Sequence, residues 1–161
     1  PVYLMENTLL YGDPLAASDI PDEEITIPIG TAEIKKEGKD VSLIAHGRCV
    51  IVALEAAKKL EEESGINAEV VDLRSIRPLD EETILKSVAK TNRVVLVDES
   101  KPFCGISSQI ATMIQEKAFD DLDAPIKRVT SVDAPAIYSP PVEKEQIPNV
   151  SRIVDMVQSL G

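Results

Sequence analysis

From Val41 onward, two kinds of apolar pattern alternate along the chain. Short aliphatic runs bounded by turn residues read as strands. Longer stretches with an apolar residue every third or fourth position read as helices. "VSLIA" predicts a strand over 41–45. Val50, Ala53, Leu54, Ala57 and Leu60 then recur at helical spacing, with Lys58, Lys59, Glu61, Glu62 and Glu63 on the wet face and Ser64-Gly65 as the stop. "AEVVDL" is the next strand, 68–73. Asp80 ahead of Glu81 and Glu82 has the form of an N-cap with acidic first-turn residues facing the positive end of a helix dipole. It opens a helix over 81–90 with Ile84, Leu85 and Val88 inward. "RVVLVDES", 93–100, is almost continuously aliphatic, as a strand covered on both faces must be. A helix over 105–117 carries Ile106, Ile110, Met113 and Ile114 on one side. "PIKRVTSV", 125–132, is the last strand, and Asn149 caps a final helix over 150–160 with Ile153, Val157 and Leu160 on one stripe.

Elsewhere the pattern is less regular. Residues 32–35 and 41–45 read as two strands joined by a turn at Glu37-Gly38-Lys39-Asp40. "PVYLMEN" reads as a short buried strand. "LLYGDPLAASDIPDEEITIP" reads as a linker, so the domain proper starts near Ile29. "DAPAIYSPPVEKEQIP" reads as a proline-rich loop. Strands alternating with helices imply right-handed crossovers and the α/β class: a three-layer α/β/α sandwich around a five-stranded, mostly parallel sheet with one antiparallel edge strand.

Composition narrows the options. Aromatics are 3% of the chain against 43% hydrophobic residues overall, so the core is aliphatic. The formal charge is 17 − 28 = −11. That excludes a nucleic-acid backbone or an anionic membrane surface as partner, since both need a basic face. It permits a basic protein partner, or simply keeps the domain in solution. Two distant cysteines and one histidine cannot build a zinc cluster. Nothing has the pattern of a signal peptide or a membrane span, so an intracellular, soluble product is expected. The sequence opens at Pro1 and reads as a fragment or a processed piece.

Candidate chemistry is sparse. In "HGRCVIVAL" one glycine separates strand from helix, which is neither GxGxxG nor a P-loop. His46 and Arg48 flank it at the carboxyl end of a strand. They read either as an anion site or subunit contact at a helix N-terminus, or as a helix-start loop with solvent-facing side chains. Cys104 precedes another helix N-terminus, which lowers a thiol pKa. A nucleophile there needs a base, and His46 is the one histidine; the plainer reading is a small loop residue at a packed interface. Asp98 and Glu99 end a buried strand and suit acid–base work or capping. Arg74 and Arg77, in "LRSIRPLD", are expected to form structural ion pairs at the carboxyl edge of the sheet, with Asp98, Glu99 or a neighbouring subunit. No catalytic, cofactor-binding or metal residue is assigned. A stand-alone module binding a small anion at His46–Arg48 stays open.

Five segments in one order, "PVYLMENTLLYG", "IPIGTAEIKKEGKDVSLIAHG", "LEAAKKLEEESGINAEVVDLRSIRPLDEETI", "KTNRVVLVDES" and "FDDLDAPIKRV", resemble the carboxyl-terminal part of the β subunit of pyruvate dehydrogenase, the decarboxylating component of 2-oxo acid dehydrogenase complexes. The resemblance covers nearly the whole chain and is most specific in "LRSIRPLD" and "LDAP". The branched-chain 2-oxo acid counterpart is similar over the same region, while "NTLLYG" and "RSIRPLD" fit the pyruvate type better. The resemblance implies that 1–28 is the end of a pyrimidine-binding domain plus linker, and that 29–161 is a transketolase C-terminal-like domain. For the whole enzyme it implies decarboxylation of pyruvate on thiamine diphosphate with Mg2+ and acetyl transfer to a lipoyl group. No cofactor is expected on this segment, because the family's cofactor-contacting β residues precede it. The implied partners are the α subunit, a second β subunit in a heterotetramer, and the small basic subunit-binding domain of the acyltransferase component. The family's acidic docking residue in "LDAP" falls on Asp123; Glu116, Asp120 and Asp121 would enlarge the patch, and the nearby carboxyl terminus brings in Gly161. One departure is "GISSQI" where relatives often carry "GVGAEI", which makes Cys104, Ser107 and Ser108 unusual. Bacterial cytoplasm, mitochondrial matrix and plastid are all compatible compartments.

Overall fold

The computed structural model describes residues 1–14 and 22–160. Its strands are β1 Glu33–Lys36, β2 Val41–Ala45, β3 Ala68–Asp72, β4 Val94–Asp98 and β5 Lys127–Thr130. They form one sheet in the order β1-β3-β2-β4-β5. β1 lies antiparallel on β3 at one edge, and every other pair is parallel. The helices are α1 Arg48–Ser64, α2 Glu81–Thr91, α3 Ile106–Lys117, α4 Pro140–Gln146 and α5 Val150–Gln158. This is the expected sandwich with its single antiparallel edge.

The layering follows from alternation along the central strand. Val41, Leu43 and Ala45 of β2 join the core beneath α1 and α5, with Ala53, Ala57, Leu60, Ile153 and Val157. Ile44 points to the other face, into the core beneath α2 and α3 with Ile84, Val88, Ile110 and Ile114. Ser42 shares that second face and is fully buried. Its hydroxyl is 2.6 Å from Ser87 Oγ and 2.7 Å from Thr91 Oγ1, both on α2, so no polar atom of this trio is stranded.

Helix ends fall where local chemistry puts them. Asp80 Oδ1 accepts from the Thr83 N–H at 3.0 Å, and its Oδ2 accepts from the Ala32 N–H at 2.9 Å, so one cap starts α2 and also fastens the approach to β1. Asn149 Oδ1 accepts from the Arg152 N–H at 3.0 Å and starts α5.

Three expectations are corrected. Residues 1–6 form no strand, and Val2, Tyr3, Leu4 and Met5 are all exposed; a strand needs a ladder partner, and none of the described residues supplies one. Only a 3-10 turn, Thr8–Gly12, is regular there. The strands flanking Glu37–Asp40 do not form a hairpin: β1 pairs with β3, which separates it from β2. The proline-rich stretch contains α4, whose prolines sit in the first turn, where a missing N–H costs nothing. Part of the expected linker and Gly161 lie outside the described residues.

Candidate functional site

The chain leaves β2 through α1 over one face and β4 through α3 over the other. The carboxyl ends of these neighbouring strands therefore diverge, and they flank a crevice of the kind that binds ligands in open α/β sheets. Four candidate residues meet there. His46 Nε2 faces Asp98 Oδ1 at 3.6 Å, and Arg48 Nη1 donates to Glu99 Oε1 at 3.0 Å. Gly47, at φ +55°, makes the turn from β2 into α1.

Asp98 is the best-held carboxylate of the crevice. Oδ1 accepts from the Ser100 N–H at 2.9 Å; Oδ2 accepts from the Ser100 hydroxyl at 2.6 Å and from the Ser107 N–H at 3.1 Å. Burial pushes its pKa up, but His46, the Ser100 hydroxyl and those two N–H groups outweigh burial and hold it well below the usual carboxylate range. Gly105 makes this close approach possible: a Cβ there would run into Ser100 Oγ, and would lie 2.8 Å from Lys101 O and 3.0 Å from Asp98 Oδ2. Asp98 thus occupies the N-terminus of α3 itself. Of the two readings for Asp98, capping fits this geometry.

The other candidates lie apart. Arg74 pairs with Glu33 of β1, not with Asp98 or Glu99. Arg77 is exposed and, among the described residues, makes no hydrogen bond or ion pair. Cys104 is exposed at φ +60°, and among the described residues no hydrogen bond joins it to His46. Cys49 lies buried beside the crevice, its thiol pushed up to about 12 by burial and by the charges of Glu99 and Asp98, which makes it inert. A cleft of about 700 Å³ runs from Arg48 past Glu55 to Lys144, Asn149 and Arg152. Arg48 is engaged by Glu99, and Arg152 by the carbonyls of Ile147 and Thr130, so neither arginine is free for an anion.

These donor sets do not fit a thiamine diphosphate–magnesium pair. Among the described residues no group of three or more His, Cys, Asp or Glu is arranged to hold a metal ion. The carboxylates of the crevice face His46 and Arg48. Among the described residues no helix is long and apolar enough to cross a membrane.

The amino edge of the sheet carries the acidic candidates. Glu116 is in the last turn of α3, Asp120 and Asp121 lie in the 3-10 turn Phe119–Asp121, and Asp123 follows. All four are exposed, and among the described residues none of their carboxylates makes an ion pair. The loop is clamped to the residue before β4: the Asp123 N–H donates to Asn92 O at 2.9 Å, and Asn92 Nδ2 donates to Asp121 O at 2.7 Å. Leu160 lines a cleft with Arg93 at the same edge, which Gly161 follows in sequence outside the described residues. Phe119, 62% exposed amid these acids, was not singled out from the sequence. Its signal was an aromatic residue set directly before "DDLD" rather than on an apolar stripe.

Residues 30–153 match the transketolase C-terminal domain family. The chain is 44% identical over 160 residues to the β subunit of acetoin:2,6-dichlorophenolindophenol oxidoreductase of Bacillus subtilis, and covers 46% of that protein. It is 46% identical over 156 residues to the mitochondrial pyruvate dehydrogenase E1 component subunit beta-2 of Oryza sativa, covering 41% of it. These matches take in 99% and 96% of the present chain, which spans less than half the length of either relative. Among solved structures it is similar to a split-gene transketolase, an inactive β4 tetramer. That likeness has a TM-score of 0.75 and 34% identity over 84% of this chain and 44% of the other.

Proposed function

The chain belongs to the transketolase C-terminal domain family, and on that premise we propose that it is the assembly and docking domain of the β subunit of a thiamine-diphosphate-dependent dehydrogenase. The bond-making cofactor sits on parts of the enzyme outside these residues, and this domain holds chains together. The observation that carries the reading is the division of labour between its two edges. At the carboxyl edge Arg48 pairs with Glu99 and His46 Nε2 lies 3.6 Å from Asp98 Oδ1, and the described residues there present no complete catalytic set. At the amino edge, Glu116, Asp120, Asp121 and Asp123 have no ionic partner among the described residues, around the exposed Phe119. Such a surface suits a basic partner, whose approach it steers and orients.

The proposed partners are an α subunit, further copies of this chain, and the basic subunit-binding domain of an acyltransferase component, docked on Asp123 with Glu116, Asp120, Asp121 and Gly161. Self-association is carried over from the β4 tetramer of the split-gene transketolase. The substrate of the whole enzyme is proposed to be pyruvate or acetoin, the two named among the relatives; both carry an acetyl group. An intracellular location is proposed with it, bacterial or mitochondrial as in the relatives. The test is gel filtration with the α subunit beside a thermal-shift assay. A mixed complex, with no rise in Tm from thiamine diphosphate and Mg2+, is the expected result. A chain that ignores the α subunit but is stabilised by phosphate would instead be an anion-binding module.

A further inference from the structure

A cleft of about 300 Å³ opens at the amino edge, on the face of the sheet that α1 and α5 cover. Two neighbouring parallel strands begin at it: Asp40 and Val41 lead into β2, and Arg93 leads into β4. Above them stand Ile66, just past the end of α1, and Val157 and Leu160 at the end of α5. The borders are tied together. Gln158 Nε2 donates to Ser64 Oγ at 3.2 Å across the two helix ends. The Asn67 N–H donates to Asp40 Oδ2 at 2.7 Å, and the Asp40 N–H donates to Asn67 O at 3.0 Å. The cleft is therefore preformed, as small-molecule sites usually are.

Two opposite charges line this cleft without using each other. Among the described residues the Arg93 guanidinium makes no hydrogen bond or ion pair, and the Asp40 carboxylate makes no ion pair. A guanidinium presents a fixed fork of donors that matches a carboxylate. The opposite sign has support beyond Asp40. Helices α1 and α5 both end at the cleft, and helix carboxyl ends carry partial negative charge that favours a cation. A ligand that answers both signs carries an anion and a cation close together, with an apolar group for Ile66, Val157 and Leu160. The charge of the whole chain agrees. At −11 it repels a simple carboxylate, but not a molecule whose two charges cancel.

We propose that this cleft binds a free α-amino acid with a branched aliphatic side chain. Its carboxylate sits on Arg93, its ammonium on Asp40 and the helix ends, and its side chain on Ile66, Val157 and Leu160. The volume is at the lower limit of small-molecule sites, about 300–1,000 Å³, which suits a ligand of this size. The site goes beyond the docking role proposed above and does not depend on it.

Calorimetric titration of L-leucine into the purified chain tests the site, with L-leucinamide and N-acetyl-L-leucine beside it. The amide lacks the carboxylate and stands for the amino end of a peptide; the acetyl compound lacks the ammonium and stands for a carboxyl end. L-leucine should bind, and each of the other two should bind at least ~10-fold more weakly. Arg93→Gln should lower the affinity for L-leucine at least ~10-fold, and so should Asp40→Asn, with circular dichroism unchanged in both. The ligand series uses the wild-type chain, so poor folding of either variant leaves the result readable. No heat and no rise in Tm from L-leucine at millimolar concentration overturns the site. Binding of the amide or the acetyl compound as tightly as L-leucine overturns the amino-acid assignment and gives the cleft to a peptide terminus. Wild-type affinity for L-leucine in either variant overturns the roles given to the two charges.

Discussion

Asp98 shows burial and hydrogen bonding pulling one carboxyl group in opposite directions. Burial favours the neutral acid; His46, the Ser100 hydroxyl and two N–H groups favour the anion and prevail. A folded-state pKa below the unfolded value of about 4 means that ionised Asp98 contributes stability above that pH, and that this contribution is lost as pH falls toward the folded value. Asp98→Asn should therefore cost about 1.5–3 kcal/mol at neutral pH, the range for hydrogen bonds to a charged group. The gap from wild type should narrow below about pH 4, where the wild-type anion is also being lost. Urea titrations across pH that found a constant gap would contradict the assignment. Arg77 is the opposite case. It is exposed, and no described residue pairs with it, so Arg77→Ala should leave stability within about 0.5 kcal/mol of wild type. Its effect should appear in subunit association, measured by gel filtration with the α subunit. A drop in Tm with normal assembly would mean that Arg77 works within its own chain.

The elements themselves were legible to unequal degrees. Strands β2, β3 and β4 and helices α1, α2, α3 and α5 each announce themselves by period and cap, because both signals are local. Asp80 and Asn149 are read as caps from sequence and act as caps in the fold. What sequence period does not encode is the neighbour. Nothing in "AEIKK" says that β1 will reach past β2 to pair with β3, and nothing in "LRSIR" says that Arg74 will meet Glu33 rather than Asp98. Helix α4 was hidden by its own prolines, which read as loop residues until the first-turn position is considered. The terminal helix offers a direct check. Asn149→Ala should cost about 1 kcal/mol through the lost N-cap. Ile153→Ala should cost about 2–5 kcal/mol, because Ile153 is fully buried against α1 and the sheet. Equal losses from the two substitutions in chemical denaturation would mean that α5 is not docked on that core.

At the scale of the molecule, the parallel strands give the domain two unlike edges. At the carboxyl edge Arg48 pairs with Glu99, and His46 lies beside Asp98; at the amino edge Lys90 takes up Glu37 and Glu69, while among the described residues Glu116, Asp120, Asp121 and Asp123 make no ion pair. The acidic cluster was visible in the sequence as "FDDLDAP". Its exposure, and the way Asn92 clamps it, depend on β4 and β5 lying side by side, which only the fold supplies. The claim that this edge docks a basic partner is tested most directly by calorimetric titration of an acyltransferase's basic subunit-binding domain into the chain. Two salt concentrations, about 0.01 M and about 0.15 M, take the screening length from ~30 to ~8 Å. Binding that weakens between them, and that drops at least ~10-fold with Asp123→Lys, is the predicted result. A folded chain that takes up no domain at either salt, or an Asp123→Lys variant that binds as the wild type does, would contradict it.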